Sequence, residues 1–255
     1  MMDPSMIIDV IRFELTRSFT KGRMAIWAIL VAFPVALFVL MDQAGNAIRI
    51  EQWGITLFIL IPEMVCLLGL LLWATPAIST EIEGQTWIYL AMRRSGRSIV
   101  LLGKYMTAVL WSLSAALVSV TLCLLLVDNV GGFRLWAVMS ILSVLSCFAH
   151  AGIFILIGVV FHRRTMVTAV FYTLAIEFGL SFVPAVANKI TVSYRLRGLL
   201  AEWMQWDEAR SMAESVFGPE PPHIHLFVLF TITVVTVCAA VFILARSQYP
   251  TQQDG

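Results

Sequence analysis

Six long apolar runs, separated by shorter polar stretches, restrict the folds open to this chain more than any other feature. They occupy residues 24–41, 55–78, 105–127, 135–161, 165–187 and 224–245. An α-helix rises about 1.5 Å per residue and the hydrocarbon core of a bilayer is about 30 Å thick, so each run is long enough to cross it. The sequence therefore predicts an all-α polytopic membrane protein with six transmembrane helices in one membrane domain, residues 1–255.

Composition excludes several other classes of protein. Hydrophobic residues make up 60% of the chain, charged residues make up 13%, and the mean hydropathy is +0.88, against about 45–50% apolar and about 25% charged residues in soluble domains. The formal net charge of +1 argues against a nucleic-acid partner, because binding to phosphates needs a basic surface. The four cysteines lie in apolar runs without CxxC spacing, so neither a zinc site nor a disulfide framework is indicated.

Residues 1–23 have the pattern of an amphipathic helix lying in the membrane interface. Asp3-Pro4 is a typical helix start. Apolar side chains then recur at every fourth position, at Ile7, Ile11, Leu15 and Phe19. Polar side chains occupy the other faces, which favours a helix with one face on lipid. A solvent-facing segment before the first span is the alternative.

The distribution of lysine and arginine predicts the orientation. With six spans, both termini share one side of the membrane, and 11 of the 17 basic residues fall on that side. They are Arg12, Arg17, Lys21, Arg23, Arg93, Arg94, Arg97, Lys104, Arg163, Arg164 and Arg246. The positive-inside rule then makes both termini cytoplasmic, as expected for a plasma (inner) membrane protein.

Residues 188–223 form the long extracytoplasmic loop of this topology. Apolar residues follow helical spacing at Leu196, Leu199, Leu200, Trp203 and Met204. The pattern predicts a short amphipathic helix at the outer interface, with tryptophans as anchors. It is either a lid over an exit path or a connector resting on lipid headgroups.

Catalytic and metal-binding motifs are missing. The chain has no GxxxxGK[ST], HExxH or GxSxG pattern, and its four histidines are not at metal-binding spacing within one span. We therefore expect a non-enzyme that binds no metal or cofactor of its own.

Three ionisable residues fall inside predicted spans: Glu63, His150 and Glu177. A charge at the bilayer centre costs about 2.5–3.5 kcal/mol on insertion scales, so such groups face the protein interior, a partner or water. The short turn at 162–164 places His150 and Glu177 on neighbouring helices, where they can pair. The three residues either line a translocation path or act as hydrogen-bonded packing between helices.

The stretch from Ser79 to Tyr105 concentrates charge between two apolar runs. Its polar and glycine residues of interest are Glu81, Glu83, Gly84, Arg97, Gly103 and Lys104. A carboxylate and glycine after the second span, a Ser-Arg type pair, and Leu101-Leu102-Gly103-Lys104 before the third resemble the permeases of ABC-2 type transporters. The proline common in that family's loop is absent, and Arg93-Arg94 occupies its region.

The resemblance implies a transport subunit, typically an exporter, that works with a separate ATP-binding cassette subunit holding ATP and Mg²⁺. A second permease, identical or different, would enclose the path. Residues 79–104 would be a cytoplasmic coupling loop, in which Glu81, Glu83 and Arg97 hold a helix docked on the ATPase. Gly84 would allow a turn, and Gly103-Lys104 would close the loop at the membrane.

Two other classes of protein fit the residues. A proton-coupled secondary carrier would use Glu63, Glu177 and His150 and would need no ATPase, although no inverted repeat is visible. A membrane scaffold without transport would leave these residues as packing alone. Dependence on an ATPase, or a proton-dependent flux, would distinguish the three classes.

Overall fold

The computed structural model describes residues 4–43, 50–83, 96–126, 132–179, 189–206 and 220–246. These residues are almost entirely helical, and no β-strand occurs among them. The α-helices are α1 (Pro4–Ser18), α2 (Lys21–Gln43), α3 (Ile50–Phe58), α4 (Cys66–Trp73), α5 (Ser79–Glu83), α6 (Gly96–Leu126), α7 (Gly132–Val160), α8 (Thr165–Tyr172), α9 (Val192–Met204) and α10 (Pro222–Arg246). Two π-helical segments, Ile59–Val65 and Thr173–Gly179, and a 3₁₀ turn, Thr75–Ala77, join some of them.

Five of the described helical stretches are long and apolar enough to cross a membrane. They are Lys21–Gln43, Ile50–Glu81, Gly96–Leu126, Gly132–Val160 and Pro222–Arg246. The predicted fifth span is seen as a shorter apolar helix, Thr165–Gly179, and residues 180–187 lie outside the described part. The described part of the chain is therefore all-helical, and the protein is a polytopic membrane-embedded protein, as its apolar runs predict.

Helix α7 forms the centre of the bundle. It packs against α4, α6, α9 and α10, and its fully buried side chains include Leu135, Met139, Leu142 and Phe154. Glycines let neighbours approach closely: a Cβ built on Gly158 would lie 2.7 Å from the Thr75 carbonyl oxygen. Small residues serve this purpose in membrane helices, because lipid tails compete equally well for large apolar side chains.

The second span is interrupted where the sequence places a proline. Pro62 lacks a backbone N–H, and the helix widens to a π segment over Ile59–Val65. The Ser146 hydroxyl of α7 donates to the Pro62 carbonyl oxygen at 2.6 Å. The widened turn places Glu63 in the interior of the bundle, where it is buried.

The third span begins earlier in the structure than its apolar run predicts. Helix α6 begins at Gly96, whereas the predicted third span begins at residue 105. Arg97, Gly103 and Lys104 therefore belong to a continuous helix rather than to a loop, and Ser79–Glu83 is helical too. Apolar length predicts only the part of a helix that lipid surrounds, and α6 extends beyond it.

Helix α9 has the helical spacing that the sequence predicts. It packs against α7 and α10, with Leu196 and Leu199 fully buried. A Cβ on Gly198 would meet the His225 ring of α10 at 2.5 Å, and Trp206 packs against Gly54 of α3. Both contacts are protein contacts, so α9 is an integral part of the bundle.

Charged side chains also make contacts near the two ends of the bundle. Lys104 pairs with Glu14 of α1 and Glu81 of α5 at the end that we call the basic end. At the opposite end, Arg134 donates to the Trp203 carbonyl oxygen at 2.6 Å.

Candidate functional site

Glu63, His150 and Glu177 converge on the buried face of α9, and we call this group the buried polar centre. All three side chains are almost completely inaccessible. His150 lies ten residues before the end of α7 at Val160, and Glu177 lies twelve residues after the start of α8 at Thr165. At about 1.5 Å per residue, both therefore lie roughly midway through the bundle.

The N-terminus of α9 points at the Glu177 carboxylate. Oε2 accepts hydrogen bonds from the Ser193 backbone N–H at 3.2 Å and from its hydroxyl at 2.8 Å. Oε1 accepts one from the Tyr172 hydroxyl at 2.7 Å. A helix N-terminus stabilises negative charge through its free N–H groups and its dipole. This arrangement supplies the polar contacts that an ionised carboxylate needs in an apolar bundle.

The predicted proximity of His150 and Glu177 is confirmed, with 3.8 Å between Nε2 and Oε2. His150 Nδ1 lies 3.0 Å from the Ser146 carbonyl oxygen, which can only accept, so Nδ1 carries a proton. Nε2 has no hydrogen-bond partner within the described residues. In the neutral imidazole, Nε2 and Oε2 are both acceptors, and one added proton would join them in a charge-assisted hydrogen bond.

Glu63 forms an ion pair with Arg197, a residue that the sequence analysis assigns to the outer loop. The Arg197 side chain of α9 donates from Nε to Oε1 at 2.7 Å and from Nη2 to Oε2 at 3.2 Å. The Glu63 side chain is 4% exposed and that of Arg197 is 36% exposed. This bidentate ion pair links the π segment of the second span to α9.

A second ion cluster holds the start of α9 against the residue that precedes α10 by two positions, Glu220. Glu220 accepts from Lys189 at 2.5 Å and from Arg195 at 2.6 Å. Arg195 also donates to the Lys189 carbonyl oxygen. The hydrogen bond from Lys189, with the one from Arg195, holds the pKa of Glu220 below its usual value. The cluster connects α9 to the beginning of α10.

The predicted coupling residues Glu81 and Lys104 lie together at the basic end. The Lys104 ammonium lies 2.8 Å from Glu81 and 3.3 Å from Glu14, and both Lys104 and Glu81 are buried. Arg17 of α1 lies 3.6 Å from Glu81. A Cβ on Gly103 would meet the Val10 side chain of α1 at 2.4 Å. These contacts form a junction of α1, α5 and α6, which we call the Lys104 junction.

Of the remaining predicted coupling residues, Arg97 has a contact with another helix. Arg97 donates to the Ala245 carbonyl oxygen, at the end of α10, at 3.4 Å. Glu83 ends α5, but its side chain is outside the described set, and Gly84 lies in the segment 84–95, which is also outside it. Arg97 is thus the predicted residue that connects the basic end to the last span.

Sequence reasoning missed Arg197, Ser193, Tyr172 and Ser146 as members of the buried polar centre. Ser193, Tyr172 and Ser146 gave no signal, because a single serine or tyrosine in an apolar or amphipathic stretch belongs to no motif. Arg197 had one: a carboxylate predicted within a span needs a cation, and the outer-loop arginines were available to supply it.

The described residues contain no group of three or more side chains that could hold a metal ion. No family model matches this chain. No curated protein matches it either.

Proposed function

We propose that this chain is the membrane subunit of an ABC-2 type transporter, with residues 165–187 completing its six spans. Both termini face the cytoplasm across a plasma membrane. The chain pairs with a second permease and with a separate ATP-binding subunit that hydrolyses Mg²⁺-ATP. Export is the direction that the resemblance implies.

The observation that best supports this proposal is the Lys104 junction. Three elements meet there: the amphipathic α1, the short α5 after the second span, and the polar start of α6. The residues carrying the family resemblance, Glu81, Gly103 and Lys104, are the residues that join them. A segment pressed by a partner needs firm attachment to the spans, and a buried ion pair resists separation because breaking it leaves an uncompensated charge.

The junction also supplies a route for movement into the bundle. Helix α6 continues without a break from Gly96 to Leu126 and packs against α4 and α7. A closing ATP-binding subunit that pushes on residues 79–97 would tilt α5 and α6 as one body. Because Glu63 and His150 lie on the spans that α6 contacts, the buried polar centre is where such a tilt would alter contacts with α9.

Affinity purification tests the proposal. The tagged chain, extracted from its native host in a mild detergent, should retain a P-loop ATPase subunit identified by mass spectrometry. Arg97→Glu and Glu83→Arg should reduce the retained subunit by about tenfold or more, since each reverses a charge at the expected contact and a desolvated unpaired charge costs several kcal/mol. Arg134→Glu, at the opposite end, is the matched control and should retain it fully.

Two outcomes would count against this function. One is that no ATPase subunit accompanies the unaltered chain in several detergents. The other is that Arg97→Glu and Glu83→Arg retain as much of the subunit as Arg134→Glu does.

The contact between His150 and Glu177 favours a second candidate, a proton-coupled carrier. The pair is buried midway through the bundle and would gain a hydrogen bond on taking up one proton. Glu177→Gln should fold, because an amide oxygen still accepts from Ser193. If the pair carries protons, proton-dependent flux in liposomes should fall by at least about tenfold.

Tyr172→Phe is the control for that variant, because it removes one hydrogen bond to Glu177 and leaves the carboxylate. Equal flux in Glu177→Gln and the unaltered chain would remove the carrier from consideration. The absence of both flux and an ATPase partner would favour the scaffold.

A further inference from the structure

His225 connects α10 to α9 and has no part in the mechanism proposed above. It lies in the first turn of α10 and is 2% exposed. Its ring fills a notch that Gly198 leaves in α9, since a Cβ on that glycine would lie 2.5 Å from ring atoms Cε1 and Nε2. The Tyr194 ring of α9 flanks it, with 6.2 Å between the ring centroids. The imidazole is therefore held against one face of α9.

Arg195 of α9 faces this imidazole and defines its protonation state. Its Nη1 lies 3.4 Å from His225 Nδ1. A guanidinium nitrogen can only donate, so Nδ1 must accept, and the ring is neutral in this arrangement with its proton on Nε2. A proton added at Nδ1 would replace the hydrogen bond with two N–H groups and two positive charges that face each other.

Glu220 lies in the same cluster but is already paired twice. One of its carboxylate oxygens accepts from Lys189 and the other from Arg195. These hydrogen bonds hold the pKa of Glu220 below its usual value, so it stays ionised over the range in which histidine titrates. The side chains of Lys189 and Glu220 are 25% and 18% exposed, so protons can reach the cluster. A protonated His225 would be its third cation.

Few other ionisable side chains lie on the elements around the imidazole. Glu202, further along α9, acts on it through its charge. On α10, His223 precedes it by two residues and is exposed. Helix α7, which packs against α10, carries no charged side chain between Arg134 and His150. Arg195 is therefore the charge that a protonated ring would meet directly.

We propose that His225 is an acid-sensitive contact that releases α9 from α10 when its imidazole takes up a proton. Histidine titrates between about pH 5 and 8, and a desolvated imidazolium is repelled by a guanidinium beside it. The released helix carries Ser193 and Arg197, which hold Glu177 and Glu63 in the buried polar centre. Acidification therefore loosens the contacts of both carboxylates without protonating them. The switch acts whether the chain transports or not.

The pH dependence of unfolding tests the switch. The full chain in mild detergent is titrated with SDS at several pH values, and its profile is compared with that of His225→Gln, whose amide oxygen can still accept from Arg195. A histidine that the fold keeps neutral takes up a proton on unfolding below about pH 6.5. Between about pH 7.5 and 5.5, the folded-to-unfolded ratio of the unaltered chain should therefore fall by up to about tenfold more than that of the variant. Other groups titrate alike in both proteins.

His223→Gln is the matched control, because it removes an exposed histidine from the same turn and should keep the pH profile of the unaltered chain. Hydrogen–deuterium exchange of the unaltered chain is a second readout, which needs no substitution and still applies if His225→Gln does not fold. After correction for the intrinsic effect of pH, peptides from α9 should exchange faster at about pH 5.5 than at about pH 7.5. Peptides from α6 should not change.

Three results would overturn the proposal. Parallel pH profiles of the unaltered chain and His225→Gln would show that this ring does not titrate against Arg195. A gain of stability on acidification that the variant lacks would mean that Glu220 stabilises the imidazolium. Unchanged exchange in α9 would mean that protonation does not release the helix.

Discussion

Replacing Arg197 with alanine should destabilise the folded protein by about 3 kcal/mol, the low end of the cost of leaving one member of a buried ion pair without its partner, because the Arg197 side chain is 36% exposed. The Glu63 carboxylate is 4% exposed, and both of its oxygens accept from Arg197. Without the guanidinium, the carboxylate lies uncompensated midway along the second span. Equilibrium unfolding in mixed micelles of mild detergent and SDS measures the change.

The reason for expecting so large an effect is the asymmetry between breaking an ion pair and replacing it. Removing both charges restores a neutral interior, so the double variant Glu63→Met and Arg197→Met should unfold within about 1–2 kcal/mol of the unaltered protein. Arg134→Ala is the matched control for losing an arginine, because this exposed side chain donates to a carbonyl oxygen. It should cost less than about 1 kcal/mol.

Two results would contradict this view of the pair. If Arg197→Ala unfolds like Arg134→Ala, Glu63 has another partner, is hydrated or takes up a proton, and the charge of the pair does not hold α9. If the double variant is as unstable as the single one, the arginine acts through its packing and not through its charge.

The spans were predictable because each one is marked by the composition of its own segment. Apolar length and low charge mark a helix that lipid can surround, and five described helices follow the predicted runs. The start of α6 was not predictable in this way, since Gly96 to Lys104 is polar enough to be a loop. Contacts with α1 and α5 around Lys104 keep that segment helical in the fold, and these contacts join residues far apart in sequence.

In the buried polar centre, too, only the contact that depends on a short turn was predictable from the sequence. His150 and Glu177 were predictable as neighbours, because a short turn makes α7 and α8 antiparallel and both residues lie at similar distances from it. The pairing of Glu63 with Arg197 joins residues 134 positions apart. Amphipathic spacing in α9 showed that one face is apolar, but it does not tell whether the polar face meets water or a buried carboxylate.

The second large effect is expected at Gly158, where a methyl group would collide with backbone. A Cβ there would lie 2.7 Å from the Thr75 carbonyl oxygen, and a carbonyl cannot rotate away as a side chain can. Overpacking of this kind typically costs about 1–3 kcal/mol. Gly158→Ala should therefore lower the free energy of unfolding by that amount in the same SDS titration.

Gly22→Ala is the matched control, since no atom lies within 4 Å of a Cβ at that position. Gly22 is near the start of α2, where alanine is favoured over glycine by up to about 1 kcal/mol, so the two substitutions should have opposite signs. Equal effects would mean that α7 can shift away from the Thr75–Ala77 turn. The expected difference would instead place a rigid backbone contact directly before α5, so that α7 and the Lys104 junction move together.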